Sequence, residues 1–182
     1  PANYEVVRIE SRDPIIASEN LVATRGEGLG PVRFGMSLNE VVNYLGEPDA
    51  VESKPALEAD VDDKGQLKLP MKLVPANPPY NFVLMHYRSL GVRIDISSLD
   101  GVQWIRCDEK TPFHKQFAGQ TSEGIQIGMS KKEVLSLLEP EQKSAAEKWQ
   151  PADARWLLNG MDIEFKNDRC VGISLGIANN LH

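Results

Sequence analysis

Gly35-Met36-Ser37-Leu38-Asn39-Glu40-Val41-Val42-Asn43-Tyr44-Leu45-Gly46-Glu47-Pro48 decides the reading of this chain, because the pattern comes twice. The second occurrence is Gly128-Met129-Ser130-Lys131-Lys132-Glu133-Val134-Leu135-Ser136-Leu137-Leu138-Glu139-Pro140, 93 residues further on. In each, a Ser is followed three residues later by a Glu. That spacing predicts a capping box, in which the hydroxyl accepts from the N3 amide and the carboxylate reaches back to the N-cap amide. Met36 with Val41, and Met129 with Val134, have the spacing of a hydrophobic staple. Leu38, Val41, Val42 and Leu45 share one helical face, as do Val134, Leu135 and Leu138. Gly46-Glu47-Pro48 stops the first helix and Pro140 the second.

Upstream of each helix, Val32-Arg33-Phe34 and Ile125-Gln126-Ile127 alternate apolar and polar, which predicts a short half-buried strand. Downstream, Gly91-Val92-Arg93-Ile94-Asp95-Ile96 matches Gly160-Met161-Asp162-Ile163-Glu164-Phe165, now 69 residues apart. The same offset pairs Tyr87 with Trp156, Val102 with Val171 and Trp104 with Ile173. The spacing predicts strands over 82–87, 92–96 and 102–105 in the first copy, and over 156–158, 161–165 and 171–175 in the second. Short Gly or Asn-Asp turns separate them. The offset drops from 93 to 69, so the first copy carries 24 extra residues, placed within 51–79.

Two such matches in the same order imply an internal repeat. The expected fold is α+β: a tandem duplication of a helix packed on an antiparallel β-meander, with an extra N-terminal strand over 4–9. The first unit spans 1–110 with the insertion 51–79, read as a surface arm, and the second spans 111–182. A short extra helix is expected over 142–149. Val92, Ile94, Ile96, Met161, Ile163 and Phe165 should face the helices. Arg93, Asp95, Asp162 and Glu164 should point the other way, on a face left to solvent or to a partner.

The Gly-Met-Ser helix start, the Leu-Gly-x-Pro end and the apolar-alternating hairpin after a Gly turn resemble the repeat of the small outer-membrane assembly lipoproteins (SmpA/OmlA). In tandem they resemble the fold of the β-lactamase inhibitor protein family, in which two copies pair helices with a sheet that grips a partner. The resemblance covers most of 28–110 and 120–176. It implies an envelope or secreted binding protein without a cofactor. The second copy lacks the Gly before Pro140, and the first has its long insertion.

Composition agrees with a globular chain of 182 residues, 41% hydrophobic and 25% charged. A net charge of -6 argues against nucleic acid or an anionic membrane as partner, since phosphates demand clustered Lys and Arg. No apolar run approaches the roughly 18 residues of a membrane span. Residue 1 is Pro, so a removed leader or a trimmed gene product is expected. The expected location is the periplasm, the envelope or the secreted fraction, with the cytoplasm as the alternative.

Catalytic constellations are thin. Gly26-Glu27-Gly28-Leu29-Gly30 is followed by Pro31 and a strand rather than a helix, so it reads as a turn and not a phosphate loop. Asp60-Val61-Asp62-Asp63-Lys64-Gly65 puts Lys64 at a calcium-ligand position and Met71 where the bidentate Glu belongs, so it reads as a solvated loop. His86, His114 and His182 have no helical metal spacing. Cys107 and Cys170 form no metal motif. They read as two small buried hydrophobes, with a disulfide as the alternative. Glu40 and Glu133 are explained by capping, and Trp104 reads as core rather than as an exposed anchor.

Tyr87 and Trp156 read either as core or as exposed aromatics at a binding face. With Arg93, Asp95, Asp162 and Glu164, they make up the candidate partner-binding residues. The expected function is a non-catalytic protein-binding module with an unidentified protein partner, the alternative being a small-molecule sensor with a pocket between the units.

Overall fold

The computed structural model describes residues 6–7, 16–55, 57–59, 73–75, 81–97, 99–146 and 154–176. Its strands are β1 (Val6–Val7), β2 (Val22–Thr24), β3 (Gly28–Leu29), β4 (Val32–Arg33), β5 (Ala50–Pro55), β6 (Leu57–Ala59), β7 (Leu73–Pro75), β8 (Asn81–Tyr87), β9 (Val92–Ser97), β10 (Gly101–Asp108), β11 (Gln120–Thr121), β12 (Arg155–Leu158), β13 (Met161–Lys166) and β14 (Arg169–Gly176). The helices are α1 (Leu38–Leu45), α2 (Lys131–Leu137) and α3 (Pro140–Ala146). The fold is α+β.

Both predicted helix starts form. Ser37 and Ser130 are N-caps, and each makes a complete capping box with Glu40 or Glu133. The boxes hold both carboxyls below the usual carboxylate range, through hydrogen bonds from the backbone and side chain of Ser37 and from the side chain and backbone of Ser130. Pro140 does more than stop α2. It opens α3, where a missing N–H at the first helical position leaves no ladder bond unmade. The extra helix therefore starts two residues earlier than position 142.

One eight-stranded sheet runs through both units, in the order β1-β5-β8-β9-β10-β14-β13-β12. All its neighbours are antiparallel. β1 supplies the expected N-terminal strand. A second sheet orders β11-β2-β3-β4, and its parallel β11–β2 pair ties the start of the second unit to the first. Ile125-Gln126-Ile127 forms no strand. Ile125 and Ile127 are buried all the same, so the alternation there records burial and not ladder pairing. The insertion is not wholly an arm, since Val51 to Pro55 continue β5 in the main sheet and pair with β8. β6 and β7 pair with each other. Positions 60–72 and 76–80, with the Asp60 to Gly65 loop, lie outside the described residues.

The inner face of the large sheet is apolar. Met85, Tyr87, Val92, Ile94, Ile96, Val102, Ile105, Met161, Ile163, Phe165, Ile173 and Leu175 are buried in one continuous core. Val41 and Leu45 of α1, Val134 of α2 and Ala146 of α3 complete it. Fully burying each large apolar side chain contributes about 1.5–3 kcal/mol.

The hairpins of the two units correspond, but not at the expected offset throughout. The β8–β9 turn has four residues and the β12–β13 turn has two, so Trp156 corresponds to Met85, and Tyr87 to Leu158. The β9–β10 turn is also one residue longer than Asn167-Asp168, which takes positive φ at both positions, as a two-residue hairpin turn demands. Val102 therefore corresponds to Cys170 rather than Val171. The backbone agrees: Gly35 N–H donates to Val102 O and Val102 N–H to Met36 O, while Gly128 N–H donates to Cys170 O and Cys170 N–H to Met129 O.

Candidate functional site

Each hairpin carries a β-bulge at the matching place. The register shifts between Val102 and Trp104 in β10, and between Cys170 and Gly172 where β14 meets Glu164 and Phe165. An extra residue in a period-2 strand flips every later side chain to the other face. Val102 and Ile105 therefore both point into the core. Trp104, pairing with Asp95, moves to the outer face and is half-buried there. The core reading of Trp104 is corrected on this ground, and so is its pairing with Ile173, which belongs to Gly172.

The outer face is built around the seam between β10 and β14. The two strands pair with Trp104 opposite Gly176, Arg106 opposite Ser174 and Asp108 opposite Gly172. Under the hairpin correspondence, Arg106 and Ser174 occupy matching places, and they face each other across the seam.

A chain of ions crosses this seam. Arg93 clasps Asp108 with Nε at 2.8 Å and Nη2 at 3.2 Å. Arg106 Nε donates to the same carboxylate at 2.5 Å, and its Nη2 donates to Glu164 at 2.5 Å. Burial works against the Arg106 charge, yet the hydrogen bonds to Asp108 and Glu164 prevail and raise its pKa further. Gly172 makes room for this reach: a Cβ there would lie 2.8 Å from Arg106 Nη2 and 3.4 Å from Glu164 Oε2.

The six predicted partner-binding residues separate into two groups. Arg93, Asp95 and Glu164 lie on the outer face with partial exposure. Asp162 is on the same side but only 2% exposed, held by Arg155. Tyr87 and Trp156 are corrected: they sit in the core at 1% and 2% exposure. Tyr87 OH donates to Gly46 O at 3.0 Å, tying β8 to the end of α1, and burial raises its phenol pKa. Trp156 packs against Phe165 with ring centroids 4.4 Å apart. Sequence reasoning missed Trp104, Arg106 and Asp108, whose aim depends on a bulge, and Phe82 and Leu157, which leave apolar surface exposed on either wing.

The other candidates give little chemistry. Cys107 and Cys170 are free and buried, which sets the disulfide aside. Burial pushes the Cys107 thiol far up and that of Cys170 up to about 12, so neither is a ready thiolate. Among the described residues no group of three or more His, Cys, Asp or Glu side chains is placed to hold a metal ion. No described helix is long and apolar enough to cross a membrane. A cleft of about 330 Å³ lies within the first unit, not between the units. Ser37, Leu38, Val83, Ile96, Ser97 and Leu99 are among its lining, which holds no ionisable side chain.

Compared with protein-family models, curated proteins and solved structures, the chain matches none.

Proposed function

We propose that this chain is a non-catalytic protein-binding module, of inhibitor, immunity or envelope-assembly type, that holds its partner on the outer face of the eight-stranded sheet. The observation that carries this reading is the seam itself. Arg93, Asp108, Arg106 and Glu164 are locked to one another, so a partner would meet a pre-organised polar centre. Phe82 and Leu157 add apolar contact area, at 42% and 61% exposure. Such an arrangement suits protein recognition, where a few anchors supply most of the affinity. The two hairpin units, alike in capping box, bulge and backbone bonds, are read as copies of one ancestral unit. An envelope or secreted setting follows from the SmpA/OmlA and β-lactamase inhibitor protein resemblance alone.

Immobilised full-length chain should retain a discrete protein from cell extract or secretome at low and moderate salt. Phe82→Asp and Leu157→Asp, both at exposed outer-face positions, should each weaken that binding about tenfold or more, with the melting temperature little changed. If no protein is retained under any condition while a small ligand raises the melting temperature, the sensor alternative, with the first-unit cleft as its pocket, replaces this reading.

A further inference from the structure

The connector between the units, residues 109–118, lies against the β8–β9 turn and carries His114 onto His86. Lys115 N–H donates to Arg88 O at 2.9 Å, and Phe117 N–H to Asp108 O at 3.0 Å. Thr111 Oγ1 accepts from the Phe113 and His114 amides, which sets the tight turn that aims His114. The approach is close, since a Cβ on Gly91 would lie 2.4 Å from Phe117 N and 2.6 Å from Lys115 O. The imidazoles meet with centroids 5.7 Å apart and planes tilted by 42°. His86 is buried, and among the described residues neither His86 Nδ1 nor His114 Nδ1 has a hydrogen-bond partner.

The surroundings suit neutral rings and not charged ones. Arg88 from the turn and Arg93 from β9 oppose a positive charge on either ring. Asp108 from β10 favours one on His114, but it is already engaged by Arg93 and Arg106. Glu52 from β5 has Oε1 3.0 Å from His86 Nε2 and favours a charge there, but it is itself partly exposed and burial outweighs it. Protonating both rings would therefore gather four positive charges near two carboxylates, one of them already engaged.

We propose that the tip of the connector, residues 110–115, is a pH-sensitive latch, held on the β8–β9 turn while His86 and His114 are neutral and released when they are protonated, with Phe117 staying in the core. Release would uncover the His86 end of the outer face. The direction follows from linkage. Burial, aided by neighbouring cations and opposed by Glu52 at His86 and by Asp108 at His114, puts both imidazoles below their ordinary 6.5. The docked state is therefore fully favoured above pH 6.5 and loses ground as pH falls from there through the lowered folded values. The device does not depend on what the face binds.

The test is amide hydrogen exchange on the full chain at pH 7.5 and pH 5, corrected for intrinsic rates. Protection at Thr111 and Lys115, whose amides donate to His114 O and Arg88 O, should fall about tenfold at pH 5. The amides of β13 and β14 should stay protected. In His114→Phe, which keeps a ring against His86 and cannot take a proton, the acid loss should shrink to the His86 share or vanish. The proposal is overturned by undiminished protection of Thr111 and Lys115 in wild type at pH 5. Equal loosening of wild type and variant, or simultaneous exchange of β13 and β14, would overturn it as well.

Discussion

Strand β10 turns Trp104, Arg106 and Asp108 to the outer face, whereas its counterpart β14 turns Gly172, Ser174 and Gly176 there. The inner faces of the same strands show no such contrast, with Ile105 and Cys107 answered by Ile173 and Leu175, all buried. Across the seam Trp104 lies opposite Gly176, Arg106 opposite Ser174 and Asp108 opposite Gly172, so each large outer side chain is set beside a small one. At Gly172 the need for space is direct, since a Cβ there would lie 2.8 Å from Arg106 Nη2.

The comparison breaks most readily in the core. Trp156→Ala should cost about 3–5 kcal/mol, and Met85→Ala, at the corresponding site, about 2–5 kcal/mol. Denaturant unfolding measures both, and a cost near zero for Trp156→Ala would mean that the β12 end does not pack as described. The seam should be next. Arg106→Ala removes charge-assisted hydrogen bonds to Asp108 and Glu164, for a loss of about 1.5–3 kcal/mol.

Gly172→Ala should cost about 1 kcal/mol by displacing that guanidinium, and should cost almost nothing when Arg106 is already Ala. A double-mutant cycle reads the coupling, and strict additivity would show that Gly172 is not there to clear Arg106. The helix starts come last. Ser37→Ala and Ser130→Ala should each lose about 1 kcal/mol, alike in the two units. The boxes should also weaken in acid. Glu40 and Glu133 have depressed pKa values, so their contribution is present above the unfolded value of 4.5 and fades as pH drops through the folded ones. A marked inequality between the two serine variants would separate the units that the capping boxes make alike.

Much of the inner architecture was legible. Ser37, Glu40, Ser130 and Glu133 announce the helices because capping is a local interaction, complete within four residues. Val92, Ile94 and Ile96 announce a buried strand face because period 2 reports burial directly. The candidate site was less legible. Arg93, Asp95 and Glu164 were assigned to the correct side, but Trp104 was assigned to the wrong one. Nothing in Val102-Gln103-Trp104 distinguishes a bulged strand from a regular one. Tyr87 and Trp156 look equivalent before their Gly turns, yet turns of four and two residues shift them out of correspondence. The meeting of His114 with His86 has no local signal, since they lie 28 positions apart in the chain.

By itself the sequence determined the two capped helices, the polarity of the hairpin strands and the α+β class, because these follow from contacts within a few residues of one another. Only the tertiary structure decided that the hairpins join edge to edge through β10 and β14, which side chains the bulges re-aim, and that Arg106 spans the seam over Gly172. Those outcomes depend on register between distant strands, where a slip of one residue exchanges the two faces.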